Sequence, residues 1–237
     1  MIKHTDLAIC DSKAIEKYII EDYKRFKPRT TYISYGADIE PSPMDTKDKK
    51  LTEWFNKYNI SHNEYYLVVG RFVPENNYET IIKEFISSNT KKDLVIITNN
   101  EENGFYKLLI ENTKFNQDKR VKFVGTLYDD GMLKRIRELA YGYIHGHEVG
   151  GTNPSLLEAL SSTKVNMLFN VQFNKEVAED GALYFSKNQG ELKSIIEKVD
   201  ALHIDEIECL GNKAKKRIKD HYSWNYIVDT YEELWMS

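Results

Sequence analysis

Two stretches of this sequence, far apart in the chain, combine residue types that can hold an anion. The first reads VGRFVPENNY at positions 69–78, where Gly70 closes an apolar run and Arg71 follows directly. The second reads HGHEVGGTNPSLLEAL at positions 145–160. An arginine fork can hold two phosphate oxygens, and a helix N-terminus offers unpaired backbone N–H groups and the positive end of its dipole. If the two stretches meet, they predict a site for a diphosphate.

The second stretch has the pattern of a strand, a tight glycine turn and a capped helix. An apolar run at 141–144 precedes Gly150-Gly151, where the backbone can turn and a ligand can approach without a Cβ in the way. Thr152 or Asn153 can cap the helix, and Pro154 suits its first position. The free backbone N–H groups in the first turn of this helix are therefore predicted to point at the loop, where they suit a phosphate.

Glu158 lies one turn into the predicted helix. A carboxylate would repel a phosphate, so its expected use is to accept hydrogen bonds from neutral hydroxyls, such as those of a ribose or a hexose. Each stretch alone also has an ordinary structural interpretation: a strand–helix turn with a surface glutamate, and an exposed Arg71 after a strand. The combination of the two on one sheet edge favours a ligand.

Length, composition and charge limit the classes of protein to which this chain can belong. The 237 residues are 41% hydrophobic with a net charge of −4, which allows one large domain, or one domain plus a piece of another. The absence of a basic excess argues against nucleic acid as a partner. Cys10 and Cys209 lack metal or redox spacing and are expected to be reduced thiols of a cytosolic protein. No apolar run approaches the ~20 residues of a membrane helix, and the start lacks the apolar core of a signal peptide.

Strand and helix patterns alternate along the chain. Strands are predicted at 6–10, 32–35, 65–69, 94–98, 121–124, 141–145, 165–169 and 182–185, and the short apolar run at 6–10 predicts a buried strand. Helices are predicted at 13–27, around 54–55, at 77–87, 102–112, around 132–136, at 154–160, near 176–177, and at 189–199, 203–220 and 221–235. Asp11-Ser12 is the predicted cap of the first of these helices. Apolar runs between amphipathic helices predict an α/β fold with a doubly wound parallel sheet, whose ligands bind beyond the carboxyl ends of the strands.

Several motifs resemble the C-terminal half of retaining glycosyltransferases of family 4, which have the two-domain GT-B architecture. They are VGRFVPENNY, VKFVG, the glycine turn with PSLLEA, ALYF and a closing YSW. The run HEVGGTNPSLLEA is most similar to bacterial rhamnosyltransferases of capsule and exopolysaccharide assembly. The likeness covers residues 65–236, and residues 6–38 resemble the last strand, helix and strand of the N-terminal domain. It implies a Rossmann-like GT-B C-terminal domain.

The resemblance implies a domain division. Residues 1–40 would be a remnant of the N-terminal acceptor domain, and 41–62 a linker with a short helix. Residues 63–220 would be the nucleotide-sugar-binding domain, and 221–237 a helix that crosses back to the N-terminal domain. Most of the acceptor domain would then lie outside this chain, which alone is expected to transfer no sugar.

The resemblance also implies an activity and its partners. A sugar would pass from a dTDP- or UDP-sugar to a polysaccharide or lipid-linked acceptor, with retained configuration, without a bound metal and without a cofactor beyond the donor. The full enzyme would be cytoplasmic, with peripheral association at the inner face of the membrane.

By resemblance to the family, Arg71 would bind the donor diphosphate and Glu158 would hold the ribose hydroxyls. The amides of Gly151 and Thr152 would face the diphosphate or the donor sugar, and Val124 and Gly125 would lie beside the base. The complete predicted donor site comprises Gly70, Arg71, Asn76, Val124, Gly125, Glu148, Gly150, Gly151, Thr152, Asn153 and Glu158. Two positions depart from the family pattern. Asn76 stands where many members have a lysine, which removes a positive charge, and Gly150 stands where many have a first glutamate. Glu148 is two residues early for that role.

Alternative functions remain open from the sequence. A GT-B sugar-nucleotide epimerase would use the same nucleotide clamp with a further acid and base. A non-catalytic nucleotide-sugar-binding module would bind donor without transfer. His145 and His147 are two positions apart and share a face if the strand extends that far. A strand-end histidine is usually structural, but one of the two could contact the donor sugar.

Overall fold

Strands and helices alternate through residues 2–99 and 103–236, which are the residues that the computed structural model describes. The strands are β1 (Ala8–Cys10), β2 (Thr30–Tyr32), β3 (Tyr65–Val69), β4 (Asp93–Ile97), β5 (Val121–Gly125), β6 (Gly142–His145), β7 (Asn166–Phe169) and β8 (Leu183–Phe185). The helices are α1 (Lys13–Asp22), α2 (Lys49–Tyr58), α3 (Tyr78–Ser87), α4 (Gly104–Thr113), α5 (Asp130–Glu138), α6 (Pro154–Ser162), α7 (Gln172–Ala178), α8 (Glu191–Asp200), α9 (Ile204–His221) and α10 (Trp224–Met236).

The main sheet has six parallel strands in the order β5-β4-β3-β6-β7-β8. The chain builds outward from β3 to β5, then returns to place β6 on the other side of β3 and builds outward again. This confirms the predicted doubly wound α/β fold. The strand order reverses between β3 and β6, which makes the carboxyl ends of these two strands the place where such sheets bind ligands.

Burial of the sheet on both faces explains its apolar strands. Tyr65, Tyr66 and Leu67 of β3 are fully buried although successive side chains point to opposite faces. One face packs with α3, α4 and α8, and the other with α2, α5 and α6. α6 also packs with α7 and α9 in a third cluster around Leu156, Leu160 and Ile218. Strand predictions in this part of the chain are confirmed to within a residue or two.

The N-terminal segment forms a separate two-stranded parallel sheet of β1 and β2. Ser12 caps α1 by accepting a hydrogen bond from the Ile15 amide, as predicted. The prediction of β1 as a buried strand is wrong for Ile9, which is 41% exposed, because this small sheet leaves part of a face open. No residue of α1 is buried.

The predicted position of β2 is shifted by about two residues. The amide of Ile33 donates to the carbonyl of Cys10, and β1 ends there because Asp11 begins the turn into α1. Residues beyond Ile33 therefore lack a partner in β1 and continue toward the start of α10, where Ala37 bridges to Ser223.

Specific contacts tie the N-terminal segment to the main domain. The carboxylate of Glu176 in α7 accepts hydrogen bonds from the first amides of α1, Lys13 at 2.9 Å and Ala14 at 3.3 Å. This carboxylate lies where the helix dipole favours negative charge. The hydroxyl of Thr152 donates to the carbonyl of Asp11 at 2.7 Å. The turn after β1 is therefore held against the glycine turn that precedes α6.

The remaining elements follow the predicted pattern. The fourth helix begins at Gly104, and the first residue predicted for it, 102, lies outside the described residues. In α10 Ile227 is buried, whereas Trp224 and Val228 are about half exposed. Within the described residues, no helix is both long and apolar enough to cross a bilayer. Cys10 and Cys209 are free.

Candidate functional site

A cavity of about 200 Å³ opens beyond the carboxyl ends of β3 and β6 and is called the switch-point cavity. Four of the predicted site residues line it: Gly70, Arg71, Asn76 and Asn153. The other lining residues are Val68, Val69, Tyr78, Ile144, His145, Gly146, His147 and Ser155. The loop after β3 and the N-terminus of α6 therefore meet, as the two sequence stretches predicted.

The loops after β3 and β6 are fastened together along one side of this cavity. Gly146 lies so near Asn76 that a Cβ on Gly146 would come within 2.1 Å of the Asn76 carbonyl oxygen. The Asn77 side chain donates to the Gly146 carbonyl at 2.7 Å, and the Glu148 amide donates to the Glu75 carbonyl at 3.1 Å. These contacts fix the distance between the two strand ends.

Asn76 connects Arg71 to His147. Its side-chain N–H donates to the Arg71 carbonyl at 2.6 Å, and its Oδ1 lies 2.9 Å from His147 Nδ1. Because the amide nitrogen is already used as a donor, Oδ1 accepts, and His147 Nδ1 carries a proton. In the neutral ring Nε2 is then left as an acceptor. Asn76, which stands where many family members have a lysine, therefore supplies no positive charge but positions the His147 ring.

Arg71 provides the positive charge of the cavity. Its side chain is exposed, and among the described residues no carboxylate forms an ion pair with it. Burial, and after it the guanidinium of Arg71, lowers the pKa of His147, while Glu75 and Glu148 act in the opposite direction. The unpaired guanidinium is free to bind an anion that enters the cavity.

His145 lies on the floor of the cavity at the end of β6 and is 3% exposed. Its Nδ1 is 3.4 Å from the Tyr143 hydroxyl, and its Nε2 has no hydrogen-bond partner among the described residues. Burial lowers the pKa of His145 to about 3, with His147 adding to the shift. The ring is therefore neutral, and one buried polar atom beside the cavity lacks a partner.

The N-terminus of α6 closes another side of the cavity. Of the two predicted caps, Asn153 is the one used, because its side chain accepts from the Ser155 amide at 2.9 Å. The family resemblance implied that the amides of Gly151 and Thr152 face the diphosphate or the donor sugar, but both residues lie against the N-terminal segment and are not among the lining residues. A Cβ on Gly151 would come within 2.1 Å of Asp11 Oδ1.

Glu158 lies on the far side of the first turn of α6, in a second cavity of about 300 Å³. This side cavity is lined by Tyr35, Gly36, Ala37, Asp38, Asp130, Leu133, Lys134, Arg137, Pro154, Glu158, Ser161, Ser162 and Trp224. Glu158 Oε2 is 2.6 Å from the guanidinium of Arg137, which is only 3% exposed. The same guanidinium lies 3.3 Å from the Ser155 hydroxyl, so Arg137 connects the two cavities.

The other predicted site residues lie near this edge of the sheet. Glu148 pairs with Lys187 at 2.7 Å. Burial raises the pKa of Glu148, but hydrogen bonds from Lys187 and Asn77 outweigh that effect and lower it. The Val124 carbonyl accepts from the Tyr58 hydroxyl at 2.9 Å, and Gly125 has a φ of 78° with open space beside it. Gly150 lies beside the His147 ring, since a Cβ at 150 would come 3.4 Å from Nε2.

Sequence reasoning missed three residues of this site. Ser155 could have been found, because the second residue of a helix with an exposed N-terminus borders any ligand bound there. Tyr143 and Arg137 gave no signal. Tyr143 is fully buried in β6 and contacts His145 and Ser155 through its hydroxyl, and an arginine within RIRE is ordinarily an exposed helix residue.

Two family profiles match parts of this chain. A sequence profile described as "Glycosyl transferases group 1" matches residues 51–223, and a profile for a domain of unknown function, DUF1972, matches residues 1–38. No curated protein matches the chain.

Solved structures match over nearly the whole chain. HepE of Anabaena in complex with UDP and glucose superposes with a TM-score of 0.84 at 17% identity, over 100% of this chain and 64% of that one. Sucrose-phosphate synthase of Thermosynechococcus elongatus gives 0.77 at 16%, over 99% and 59%. A glycosyltransferase of Rickettsia africae gives 0.81 at 16%, over 95% and 62%. The chain thus spans about three fifths of the length of these structures and shares their fold, and by its profile match it belongs to the group 1 glycosyl transferases.

Proposed function

We propose that this chain is the donor-binding part of a retaining glycosyltransferase of family 4. It would use a dTDP- or UDP-sugar, with a rhamnosyl group as the sugar transferred to a capsular, exopolysaccharide or lipid-linked acceptor. Residues 63–220 form the donor domain, 1–40 belong to an acceptor domain, 41–62 link them, and 221–237 join the two parts again. The enzyme works at the cytoplasmic face of the membrane.

The observation that carries this proposal is the switch-point cavity itself. An unpaired guanidinium, the N-terminus of α6 and two histidines border one space of about 200 Å³ at the strand-order reversal. A diphosphate has the size and charge for this space. Negative charge that develops on the leaving diphosphate would be stabilised there by Arg71 and by the dipole of α6.

The position of the side cavity favours a donor whose nucleotide lies across the first turn of α6. Asn153 and Ser155 border the switch-point cavity, whereas Pro154 and Glu158 border the side cavity. A diphosphate in the first would direct its ribose toward Glu158. One carboxylate oxygen of Glu158 is held by Arg137, and the other is available to the ribose hydroxyls. Val124 and Gly125 are proposed to lie beside the base.

Names of related structures also support a nucleotide-sugar donor. HepE of Anabaena was crystallised in complex with UDP and with UDP-glucose. A trehalose-phosphate synthase with a TM-score of 0.79 is described as UDP-forming. We extend this donor chemistry to the present chain on the strength of the shared fold and the cavity.

Calorimetric titration of the full chain with UDP, dTDP and UDP-glucose tests the proposal. A hydrogen bond to a charged group contributes about 1.5–3 kcal/mol, so Arg71→Ala should weaken binding about tenfold or more. Arg29→Ala is the matched control, because Arg29 is also exposed but precedes β2, away from the cavity. Equal affinities for the wild type and Arg71→Ala, or no binding of any of the three nucleotides, would discard the proposed donor site.

A further inference from the structure

His147 is held more firmly than an exposed-loop side chain usually is. Its Nδ1–H donates to Asn76, and its backbone carbonyl accepts from the fully buried Asn174 at 3.0 Å. The ring also meets the edge of Phe173 at a centroid distance of 5.8 Å. Contacts with the β3 loop and with α7 therefore fix the position of the ring, and the protonation state of Nε2 is what can change.

Nε2 is the functional end of this ring. It has no hydrogen-bond partner among the described residues, and the ring lines the switch-point cavity beside Arg71. Gly150 is the neighbour on its other side, since a Cβ there would come 3.4 Å from Nε2. The absence of a side chain at 150 leaves the nitrogen open to a ligand.

We infer that His147 is a proton-linked ligand of the donor diphosphate: when the diphosphate binds, Nε2 takes up a proton from the buffer, and Nε2–H then donates to a phosphoryl oxygen. This inference rests on the proposed donor site. It adds a residue that the sequence motif did not assign to the diphosphate, and it makes the cationic charge of the site variable.

The electrostatics of the cavity fix the direction of this change. The groups that face or adjoin the imidazole are Arg71 and Glu75 from the β3 loop, His145 and Glu148 from the β6 loop, and Lys187, which pairs with Glu148. Burial and Arg71 keep the pKa of His147 below its usual range in the free protein. A diphosphate diester brings two negative charges next to Arg71, which offsets the guanidinium and favours the imidazolium.

Proton uptake makes donor affinity depend on pH with a definite sign. Affinity should rise as the pH falls through the pKa of the bound state and level off below that of the free state. Each unit by which binding raises the pKa corresponds to about a tenfold difference between the two plateaus. Up to one proton is taken up per donor bound.

Titration of the full chain with UDP-glucose from pH 5.5 to 8 tests this inference. A nucleotide sugar is the right probe because its diphosphate is a diester of constant charge over this range, whereas the terminal phosphate of UDP titrates. The wild type should bind about tenfold or more tightly at the acidic end, with proton uptake detected by comparing buffers of different ionisation enthalpy. His147→Gln should bind with no pH dependence and no uptake, and His4→Gln, which removes an exposed histidine, should behave as the wild type.

The outcomes separate this inference from the donor site. If Arg71→Ala weakens binding but His147→Gln keeps the pH slope and the uptake, the donor site stands and the role of His147 is wrong. If UDP-glucose does not bind, both are wrong. Because His147→Gln could also abolish binding, the Cε1–H resonance of His147 is titrated in the wild type by NMR. Its pKa should rise on addition of UDP-glucose, and an unchanged pKa refutes the inference.

Discussion

Replacing Gly146 with alanine should separate the two loops that form the switch-point cavity. The new Cβ would lie 2.1 Å from the Asn76 carbonyl oxygen and 2.8 Å from the Ile81 side chain, whereas ordinary contacts begin near 3.4 Å. The Asn76 oxygen belongs to the backbone, so the conflict cannot be relieved by a rotamer change. The loops must move apart by about 1 Å in an interior that packs like a crystal.

The expected loss follows from what this movement breaks. Asn76 holds both the Arg71 carbonyl and the His147 ring, so the displacement changes the spacing of the two groups proposed to hold the diphosphate. A misplacement of about 1 Å can lower the rate of an enzyme reaction about 10²-fold, and we expect the binding of a diphosphate by two positioned groups to be similarly sensitive. Donor affinity should therefore fall about ten- to a hundredfold. Overpacking should reduce the free energy of unfolding by about 1–3 kcal/mol.

The measurement pairs UDP-glucose titration with urea unfolding of the same protein. Gly104→Ala is the matched control, because a Cβ at the start of α4 meets nothing within 4 Å. This control should bind as the wild type does and be at least as stable. If Gly146→Ala retains both wild-type affinity and wild-type stability, the close approach of the loops does not shape the site, and the reasoning is refuted.

Two further predictions concern buried titratable or charged groups. Glu158→Ala should lower the free energy of unfolding by about 1–3 kcal/mol, because it leaves the buried guanidinium of Arg137 without its carboxylate; the loss is limited because about half of the Glu158 side chain is already exposed to solvent. Arg137→Met should lower the free energy of unfolding by less, and urea unfolding of both single variants and the double variant measures these changes. A Glu158→Ala variant as stable as the wild type would contradict the prediction. The depressed pKa of His145, about 3, means that the unfolded chain binds protons below pH 6.5 while the folded chain does not, so stability should fall on acidification by about 1.4 kcal/mol per pH unit. His145→Phe should remove this part of the slope between pH 7 and pH 5 in urea midpoints, and an unchanged slope would contradict the assigned pKa.

The main sheet could be predicted because its strands are buried on both faces. Runs such as YYLVV and DLVII carry enough apolar side chains to specify a strand without knowledge of its neighbours. The N-terminal segment was harder. Ile9 belongs to an equally apolar run but lies in a two-stranded sheet, and burial there depends on what packs above the strand, which composition does not encode.

Some residues of the candidate site could likewise be placed from the sequence, and others could not. Arg71 and the N-terminus of α6 could be placed on one edge because parallel strands deliver their carboxyl ends together. The position of Thr152 could not, since its hydroxyl bonds to Asp11, 141 positions away in the chain. The burial of Arg137 was equally hidden, because it results from α5 and α6 packing together around a carboxylate of Glu158.

The two departures from the family pattern, Asn76 and Gly150, have a common consequence for the site. A lysine at 76 would add a fixed charge but could not accept a hydrogen bond from His147 Nδ1, so the ring would lose the contact that orients it. A glutamate at 150 would place its Cβ 3.4 Å from His147 Nε2, at a φ of 125° that side chains rarely adopt. Each departure therefore keeps the imidazole oriented and open. The charge that a lysine would supply at all times is supplied here by a histidine whose protonation responds to the ligand.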